Sequence, residues 1–574
     1  MSDPTILFEN NHQEEKEEEK QEAKLAIKSG AGVVIEVEKL ADRYEASYKL
    51  PMSEGGATIH VDEVASRLAG FYEKLRRVID WKEEHLIRRT AVERVLKRRL
   101  VTEISGLKIN PGLEAKGMAE PLVLELVRAG HLPNDEIPKS RIRLVEEVLE
   151  KYIYILQNAP WSANHIPRNF KKKINFYNWL LEIAACEIEE VLDPPIKQKA
   201  LISFMVNSLN SQIKVIPSGV MDENEKRIQV IIAVHRTLFH LDGASTSYHL
   251  FEYYYPEWTK PSVQIIDQAA KNIFYLWEQT EGHLSHPLSG EFFKLAERYD
   301  SLYLVLGDVL DNLNKEGEPV LPALSKKKRL KELVKDAYDK RLATLKGRLF
   351  RAAIYSTLSI FVAGGFSLFI IEVPVAKLFY GSFSLFAIAV DILVPSILMF
   401  ALVALIKPPA KSNFKKVMDG VLKIVFPTTQ GDAYEINASP KKRPIFSLII
   451  NFFYLVGSIF SLGLIFAVFY YAKIPPTSLF LDTLNVAVIV FAALVIKQRA
   501  KELTVEEKTS FWEFFIDMLS IPVAKIGQWL ANKWKEYNVV SVFFTVLIDT
   551  PFMTLVDFVE GWSSFLKRKR GEIY

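Results

Sequence analysis

The chain is poor in the residues and motifs that build many familiar sites. Its 574 residues include one cysteine, Cys186, and a lone thiol excludes both a disulfide framework and a cysteine metal site. No G-x-x-x-x-G-K-S/T, G-x-G-x-x-G or G-x-S-x-G sequence lies in a strand–turn–helix setting. The sequence therefore predicts no cofactor and favours a non-enzymatic protein.

The amino-terminal segment lacks an apolar stretch. Met1 to Lys24 is polar and acidic, so we expect no cleavable signal sequence there. Its interleaved glutamates and lysines predict a disordered acidic tail over residues 1–30. The net charge of +3 is nearly neutral and favours no particular partner.

In contrast, the carboxy-terminal part of the chain contains four long apolar runs. They are Leu349–Ile371, Ser382–Ile406, Ile445–Ala472 and Thr477–Ile496. A helix needs about 20 residues to cross a hydrocarbon layer of about 30 Å. Lipid offers no hydrogen-bond partners to the backbone, so a single segment must cross it as a helix, which pairs its own backbone groups. The pattern predicts a four-helix transmembrane bundle over residues 349–496.

Basic residues lie on alternate sides of these runs. The segments 326–351, 407–443 and 497–501 are rich in Lys and Arg, whereas the other two connections hold only Lys377 and Lys473. Short loops rich in Lys and Arg stay in the cytoplasm. We therefore expect a protein of the cell membrane with both termini in the cytoplasm.

Residues 31–324 show helical periodicity and almost no strand alternation. This predicts an all-α fold with a cytoplasmic helical domain, in one piece or as two subdomains. The predicted helices are Ala119–Ala129, Pro138–Gln157, Phe170–Val191, Pro195–Ser211, Glu223–His240, Pro261–Glu281 and Gly290–Leu313.

Two basic clusters flank the apolar runs and are candidates for contact with anionic lipids of the inner leaflet. The first belongs to a predicted juxtamembrane helix over residues 325–348, and the second closes the chain. Topology and anchoring explain the juxtamembrane cluster better than lipid sensing does. The candidate residues are Lys326, Lys327, Lys328, Arg329, Lys567, Arg568, Lys569 and Arg570.

Residues 497–574 predict cytoplasmic or interfacial amphipathic helices. Phe511–Trp534 combines an apolar face with mixed charge and contains Pro522, a pattern typical of a helix lying in the membrane surface. The stretch 539–559 is apolar, but a fifth crossing there would export the basic residues 567–570. An interfacial helix and a shallow re-entrant hairpin both stay open for it.

Inside the apolar runs, Asp391 and Asp482 fall at one predicted depth, with Ser461 and Asn485 as polar neighbours. Intramembrane acids are costly and usually face the bundle interior, and two close carboxylates would share a proton or bind a cation. A proton or cation relay is one interpretation. The favoured interpretation is that each acid is protonated, hydrogen-bonds Ser or Asn across helices, or reaches the outer headgroups.

In the cytoplasmic half, His235, His240, His249 and Glu252 lie close in sequence. The spacing of His249 and Glu252 puts both on one helix face, but a metal needs more than two ligands. His235 and His240 are five residues apart and point in different directions. We therefore predict no metal here, while a membrane-bound enzyme with a site between His235 and Glu252 stays an alternative.

These patterns favour a membrane-anchored cytoplasmic scaffold or assembly module as the function. A small proton- or cation-linked transporter or channel that uses Asp391 and Asp482 is the first alternative. A basic stretch at 88–99 is explained better by a solvated or lipid-facing surface than by nucleic acid. A protein partner of the cytoplasmic domain and self-association both stay open, and the sequence names no substrate.

Overall fold

The computed structural model describes residues 35–49, 57–61, 67, 87–101, 104–105, 108–109, 115–160, 170–367, 374, 385–426, 434–438, 444–471, 476–505, 511–537 and 550–572. The predicted tail 1–30, the loop ends of the first two apolar runs and most of the stretch 539–559 lie outside these residues. Within them the chain is mostly helical with few strands, which confirms the all-α prediction.

The helices, numbered in chain order over the described residues, are α1 (Ile35–Lys49), α2 (Ile87–Val101), α3 (Ala119–Arg128), α4 (Ser140–Asn158), α5 (Phe170–Leu192), α6 (Ile196–Gln212), α7 (Glu223–Leu238), α8 (Gly243–Tyr254), α9 (Val263–Leu284), α10 (Ser289–Glu316), α11 (Val320–Ser325), α12 (Lys327–Ser367), α13 (Leu385–Ala404), α14 (Asn413–Val425), α15 (Pro444–Tyr471), α16 (Pro476–Ala500), α17 (Phe511–Tyr537) and α18 (Thr550–Gly571). The strands are β1 (Ile104–Ser105), β2 (Lys108–Ile109), β3 (Ile213–Ile216) and β4 (Tyr434–Asn437).

Side-chain caps fix several helix starts in the amino-terminal part. The carboxylates of Asp222 and Asp242 accept the backbone N–H groups of Glu225 and Ser245, and so open α7 and α8. Such caps satisfy amide donors that the first helical turn leaves unpaired. At the other end of α10, Gly317 takes the left-handed conformation (φ 69°) that commonly ends a helix.

The buried apolar side chains of the amino-terminal part form two clusters with α7 between them. The first cluster packs α2 to α5 against α8 and α9, and Ile228 and Ile232 of α7 join it. The second packs α1, α6 and α10, and Val230 and Val234 of α7 join that one. Residues on opposite faces of one helix therefore connect the two cores.

The second core does not end at residue 324, where the sequence predicts the domain boundary. The first half of α12 adds Leu330 and Val334, α14 adds Val417 and Val421, and the segment after α16 adds Leu503. Segments far apart in the chain thus complete one core, because each carries an apolar face that the amino-terminal helices cover. The amino-terminal domain is therefore completed by segments that are distant in sequence.

Polar contacts fix the connecting segments to this core. The buried amide of Asn413 donates to the Leu503 carbonyl oxygen and accepts the Val505 N–H at 2.8 Å. Strand β4 pairs in parallel with β3, from Ile213 opposite Tyr434 to Ile216 opposite Asn437. The segment that joins the second and third apolar runs is therefore folded onto the amino-terminal domain.

Helix α12 runs unbroken for 41 residues from the second core into the first apolar run, as the sequence predicts for the start of that run. Ala353, Met399, Val403, Ile489, Ala493 and Ile496 form a small core where α12, α13 and α16 meet. Among the described residues, two stretches are long and apolar enough to cross a membrane, Asn451–Val468 and Thr483–Ala500. A shorter apolar stretch covers Ile392–Ala404. Four crossings stay a prediction.

Helix α17 packs lengthwise against α16 and α15, an arrangement that the sequence analysis did not predict. The Lys497 ammonium bonds the Asp517 carboxylate at 2.9 Å, and about ten residues further along α17, Gly527 faces the backbone of Ala487. The two helices are therefore antiparallel neighbours. On the other side of α17, the Ser461 hydroxyl of α15 donates to the Leu519 carbonyl oxygen at 2.8 Å.

Candidate functional site

The most polar buried site in the described part of the amino-terminal domain centres on the Glu187 carboxylate. Lys151 of α4 donates to one of its oxygens, while the Tyr152 hydroxyl (2.9 Å) and the Trp258 indole N–H (3.0 Å) donate to the other. The Lys151 ammonium also donates to the Trp258 carbonyl oxygen at 3.0 Å and lies 4.3 Å from the centre of its ring. All four side chains are buried.

Burial governs the electrostatics of this group. It lowers the pKa of the Lys151 ammonium and raises the pKa of the Glu187 carboxyl, and the attraction between the two groups opposes both shifts. Burial also raises the pKa of the Tyr152 hydroxyl. A charged lysine and a charged glutamate can persist here only as a pair, since each alone would be a buried, uncompensated charge.

A second polar centre surrounds the Lys199 ammonium of α6. It contacts both Glu252 oxygens at 2.9 Å and one Glu190 oxygen at 2.6 Å. The other Glu190 oxygen lies 2.7 Å from His249 Nε2, and the Tyr248 hydroxyl donates to Glu252 at 3.1 Å. The second centre thus joins α5, α6 and α8.

The charges of the second centre are mutually stabilised. Burial acts to lower the pKa of Lys199, but the two carboxylates outweigh it and hold that pKa above its usual value. Burial likewise acts to raise the pKa of Glu190, but contacts with His249 and Lys199 hold it low. We therefore expect Lys199 and Glu190 to be charged at neutral pH.

One cavity of about 770 Å³ reaches both centres. Lys151, Glu187, Glu190 and Lys199 line it together with apolar residues that include Val148. A concave site with apolar walls and a few converging polar groups is the usual form of a small-molecule site, and perturbed pKa values add to that resemblance. The chemistry available is charge recognition and proton exchange.

Glu190, His249 and Glu252 could also hold a metal ion, because one ligand atom from each lies within 4.8 Å of the others. In the structure the Lys199 ammonium contacts both carboxylates and supplies the positive charge a metal would bring. The sequence pairs only His249 with Glu252. It misses Glu190 and Lys199, since these lie on other helices and no spacing rule relates them.

Comparison with known proteins gives no relative for this arrangement. No protein-family model, no curated protein and no solved structure matches the chain. Its function is therefore argued from its own residues.

The predicted site between His235 and Glu252 is only partly assembled. The rings of His235 and His249 lie 4.8 Å apart, and burial holds the pKa of His235 well below its usual value, which keeps it neutral. His240 is exposed at the end of α7, as its spacing from His235 predicts. Glu252 bonds the Lys199 ammonium rather than the histidine pair. Among the described residues, His235, His249 and Glu252 therefore do not form a three-ligand metal site.

The predicted intramembrane site stays a prediction. Asn485 is exposed, and the side chains of Asp391 and Asp482 lie outside what the structure describes. The Ser461 hydroxyl donates to the Leu519 carbonyl oxygen of α17 at 2.8 Å.

The two predicted lipid-contact clusters lie in different settings. Lys326 to Arg329 stand at the start of α12, about 33 Å before Leu349 at ~1.5 Å per residue. Arg329 bonds Glu318 at 2.6 Å, and the next turns of the helix are buried in the second core. Lipid contact by that cluster stays a prediction. Lys567 to Arg570 are exposed at the end of α18, and their role stays a prediction.

Proposed function

We propose that the protein is a multi-pass integral membrane protein whose all-helical domain lies in the cytoplasm and serves as a scaffold or assembly module. The observation that carries this proposal is an apolar surface on α12, α13, α15 and α17 that no described residue covers. Only 11% of the stretch Asn451–Val468 is buried, whereas the core helix of a soluble protein would be mostly buried. Exposed apolar area of this extent requires another apolar phase.

Individual exposed side chains also support a membrane environment for these helices. Ile397, Phe453, Ile459 and Ile516 are each more than half exposed, and they come from three different helices. All three helices contact α16. In the amino-terminal domain, by contrast, large exposed apolar residues are scattered.

The shared second core supports the expected topology. Helix α14 and residues 503–505 pack on the amino-terminal domain, so these segments and that domain lie on one side of the membrane. The lysine- and arginine-rich composition of the same segments marks that side as cytoplasmic. Glu502 strengthens the link, because it bonds Arg341 at 2.8 Å and Arg348 at 2.6 Å on α12.

A rigid attachment of the domain favours assembly over transport. Helix α12 extends without a break from the second core into the apolar layer, and the connecting segments pack on the same core. Such a unit presents its surface at a fixed height and angle above the membrane. The proposed role is to hold partners in that position.

Cysteine labelling tests the topology. Replacing the buried Cys186 by alanine gives a cysteine-free background, into which one cysteine is placed at the exposed Lys415 of α14 or at Lys473. A membrane-impermeant maleimide should label intact cells at position 473 and reach position 415 only after permeabilisation. Labelling of position 415 in intact cells would overturn the layout.

Replacing both Asp391 and Asp482 by asparagine separates scaffold from transporter. A scaffold should keep its localisation and its assembled size on native gels, because neither changes the cytoplasmic domain. A transporter that uses the two acids should lose ion-dependent flux in reconstituted vesicles. Loss of such a flux in the double variant would replace the scaffold proposal by the transport one.

A metal-dependent membrane-bound enzyme is the second candidate, favoured by the grouping of Glu190, His249 and Glu252. Metal analysis of the purified full-length protein tests it, with a Lys199→Met variant as the comparison. Stoichiometric metal in the natural protein would support an enzyme. Metal that binds only after Lys199 is replaced would show that the ammonium fills the site, and would end this candidate.

A further inference from the structure

A second large cleft lies where the cytoplasmic domain meets the helices of the apolar layer. Its volume is about 900 Å³, and it is lined by residues of α7, α10, α14, α16 and α17 and of the segment after α16. The lining from α16 comes from its last two turns. The cleft therefore opens at the level where the proposed membrane ends and the cytoplasm begins.

Basic residues dominate the lining of this cleft. Arg298 of α10, Lys416 of α14, and Arg499 and Lys501 at the end of α16 are all exposed at its wall. Arg236 of α7 adds further positive charge, whereas the charge of Lys497 on α16 is balanced by its pair with Asp517. Cations from four separate elements thus converge on one space.

Three of the four acidic residues that line the cleft are paired or neutral, and the fourth, Glu297, accepts a hydrogen bond from Gln498 at 3.4 Å. Glu502 is bonded by Arg341 and Arg348 of α12, which lie outside the cleft. Asp517 is paired with Lys497, and burial raises the pKa of the Asp300 carboxyl well above its usual value, which favours its neutral form. The field inside the cleft is therefore positive, and it is suited to an anion.

One edge of the cleft is apolar. Leu494 and Val495 of α16 and Ile521 of α17 line it, and Ile521 is 41% exposed. This edge continues onto the exposed apolar surface of α17, where Ile516 is 57% exposed. A ligand with an anionic head and an apolar tail would satisfy both parts at once.

We propose that this cleft binds the phosphate headgroup of an anionic phospholipid of the inner leaflet, with the acyl chains along α16 and α17. The proposal rests on the membrane topology proposed above. Basic residues at an anionic leaflet attract such headgroups, and arginine and lysine donate charge-assisted hydrogen bonds to phosphate oxygens. A bound lipid would fasten the cytoplasmic domain to the bundle at the level of residues 497–501.

The test uses the full-length protein in detergent micelles and native mass spectrometry with added phosphatidylglycerol or phosphatidylcholine. The natural protein should retain phosphatidylglycerol at several-fold lower concentration than phosphatidylcholine. Arg298→Gln combined with Lys501→Gln should weaken phosphatidylglycerol retention by about tenfold or more, because two charges at the head are lost. Both residues are exposed, so the variant should fold, and an unchanged melting midpoint verifies this.

Lys139→Gln combined with Lys172→Gln is the matched control, since it removes the same charge from two exposed residues of the amino-terminal domain that do not line the cleft. It should leave retention unchanged. Equal weakening by the two double variants would overturn the assignment and indicate general charge attraction. No weakening by the Arg298 and Lys501 changes would overturn it as well.

Two further measurements distinguish a lipid phosphate from a soluble phosphate, and a failure of the lipid assignment from a failure of the topology. Competition by inorganic phosphate at concentrations similar to the lipid would show a site for a soluble anion and overturn the lipid assignment. Failure of the topology would show instead as labelling at position 415 in intact cells. The two failures therefore give different results.

Discussion

Replacing Gly527 by alanine should loosen α17 from α16. A Cβ atom at this position would collide with the Ala487 carbonyl oxygen and lie 2.9 Å from Phe491 Cβ. Carbon atoms in contact prefer about 3.5–4.0 Å, and the obstacle on α16 includes backbone, which cannot rotate away. The two helices must therefore separate by roughly 1 Å at the point where they are closest.

The cost follows from overpacking. Such insertions destabilise by about 1–3 kcal/mol, and a backbone obstacle places this one at the upper end. Alanine regains up to about 1 kcal/mol of helix propensity over glycine. We expect a net loss of about 1–2 kcal/mol, or a fall of roughly 2–8 °C in the melting midpoint of a cooperative unit of this size.

The assay is thermal unfolding of the full-length protein in detergent micelles, followed by tryptophan fluorescence. Gly463→Ala is the matched control, because Gly463 lies on α15 and no atom is within 4 Å of its Cβ position. The control should melt at the same temperature or slightly higher. A Gly527→Ala variant that is as stable as this control would refute the close packing of α17 on α16.

Three other substitutions test the polar contacts. Glu187→Gln should lower the free energy of unfolding by about 3–5 kcal/mol in chemical denaturation, because the buried Lys151 loses its counter-ion. Adding Lys151→Met should recover most of this loss. An undiminished loss would mean that packing, not charge, is responsible. Burial raises the pKa of Glu189 from 4.5 to about 7, so its stabilising contribution is complete below pH 4.5 and is lost as the pH rises through 7. The natural protein should therefore melt at lower temperature at pH 8 than at pH 5, and Glu189→Gln should reduce this difference; an identical profile would contradict the assignment. Glu502→Gln should cost about 2–3 kcal/mol, because Arg348 loses this carboxylate and Arg341 keeps only Asp308. Hydrogen exchange in residues 501–505 should accelerate, whereas unchanged exchange would show that the ion pairs do not hold this segment.

Much of the helical pattern was predictable from turn signals and apolar periodicity. The prediction Phe170–Val191 differs by one residue from α5, and Glu223–His240 differs by two from α7. In both cases polar or proline-containing turns bound a periodic segment, so the local pattern determines the element. The unbroken passage of α12 into the first apolar run was predictable for the same reason.

The tertiary roles of the connecting segments were not predictable. Helix α14 has the sequence of a basic loop, yet Val417 and Val421 are fully buried in a core built largely from residues of α1, α6, α10 and α12. Strand β4 exists only through its pairing with β3. Such elements depend on partners that periodicity within one segment does not reveal.

The candidate site was predictable only where its residues share a helix. His249 and Glu252 are one turn apart on α8, and their common face follows from that spacing. Lys199 and Glu190 join them from α6 and α5, and the Glu187 centre joins α4 and α5 with Trp258 after α8. Convergence of this kind depends on how helices pack, which residue types alone do not specify.

The position of α17 changes what the carboxy-terminal charges imply. Its mixed charge was the reason to predict it on the membrane surface, but Asp517 is paired with Lys497 and the Lys525 ammonium lies 5.0 Å from the centre of the Tyr454 ring. With these two charges compensated, the middle part of α17 can lie within an apolar layer at lower cost. If α17 crosses beside α16, the apolar stretch 539–559 must return for the basic residues 567–570 to stay in the cytoplasm. A cysteine at Tyr537 that is labelled in intact cells, with one at Tyr574 that is not, would establish these two extra crossings. Labelling of neither would keep α17 on the inner side.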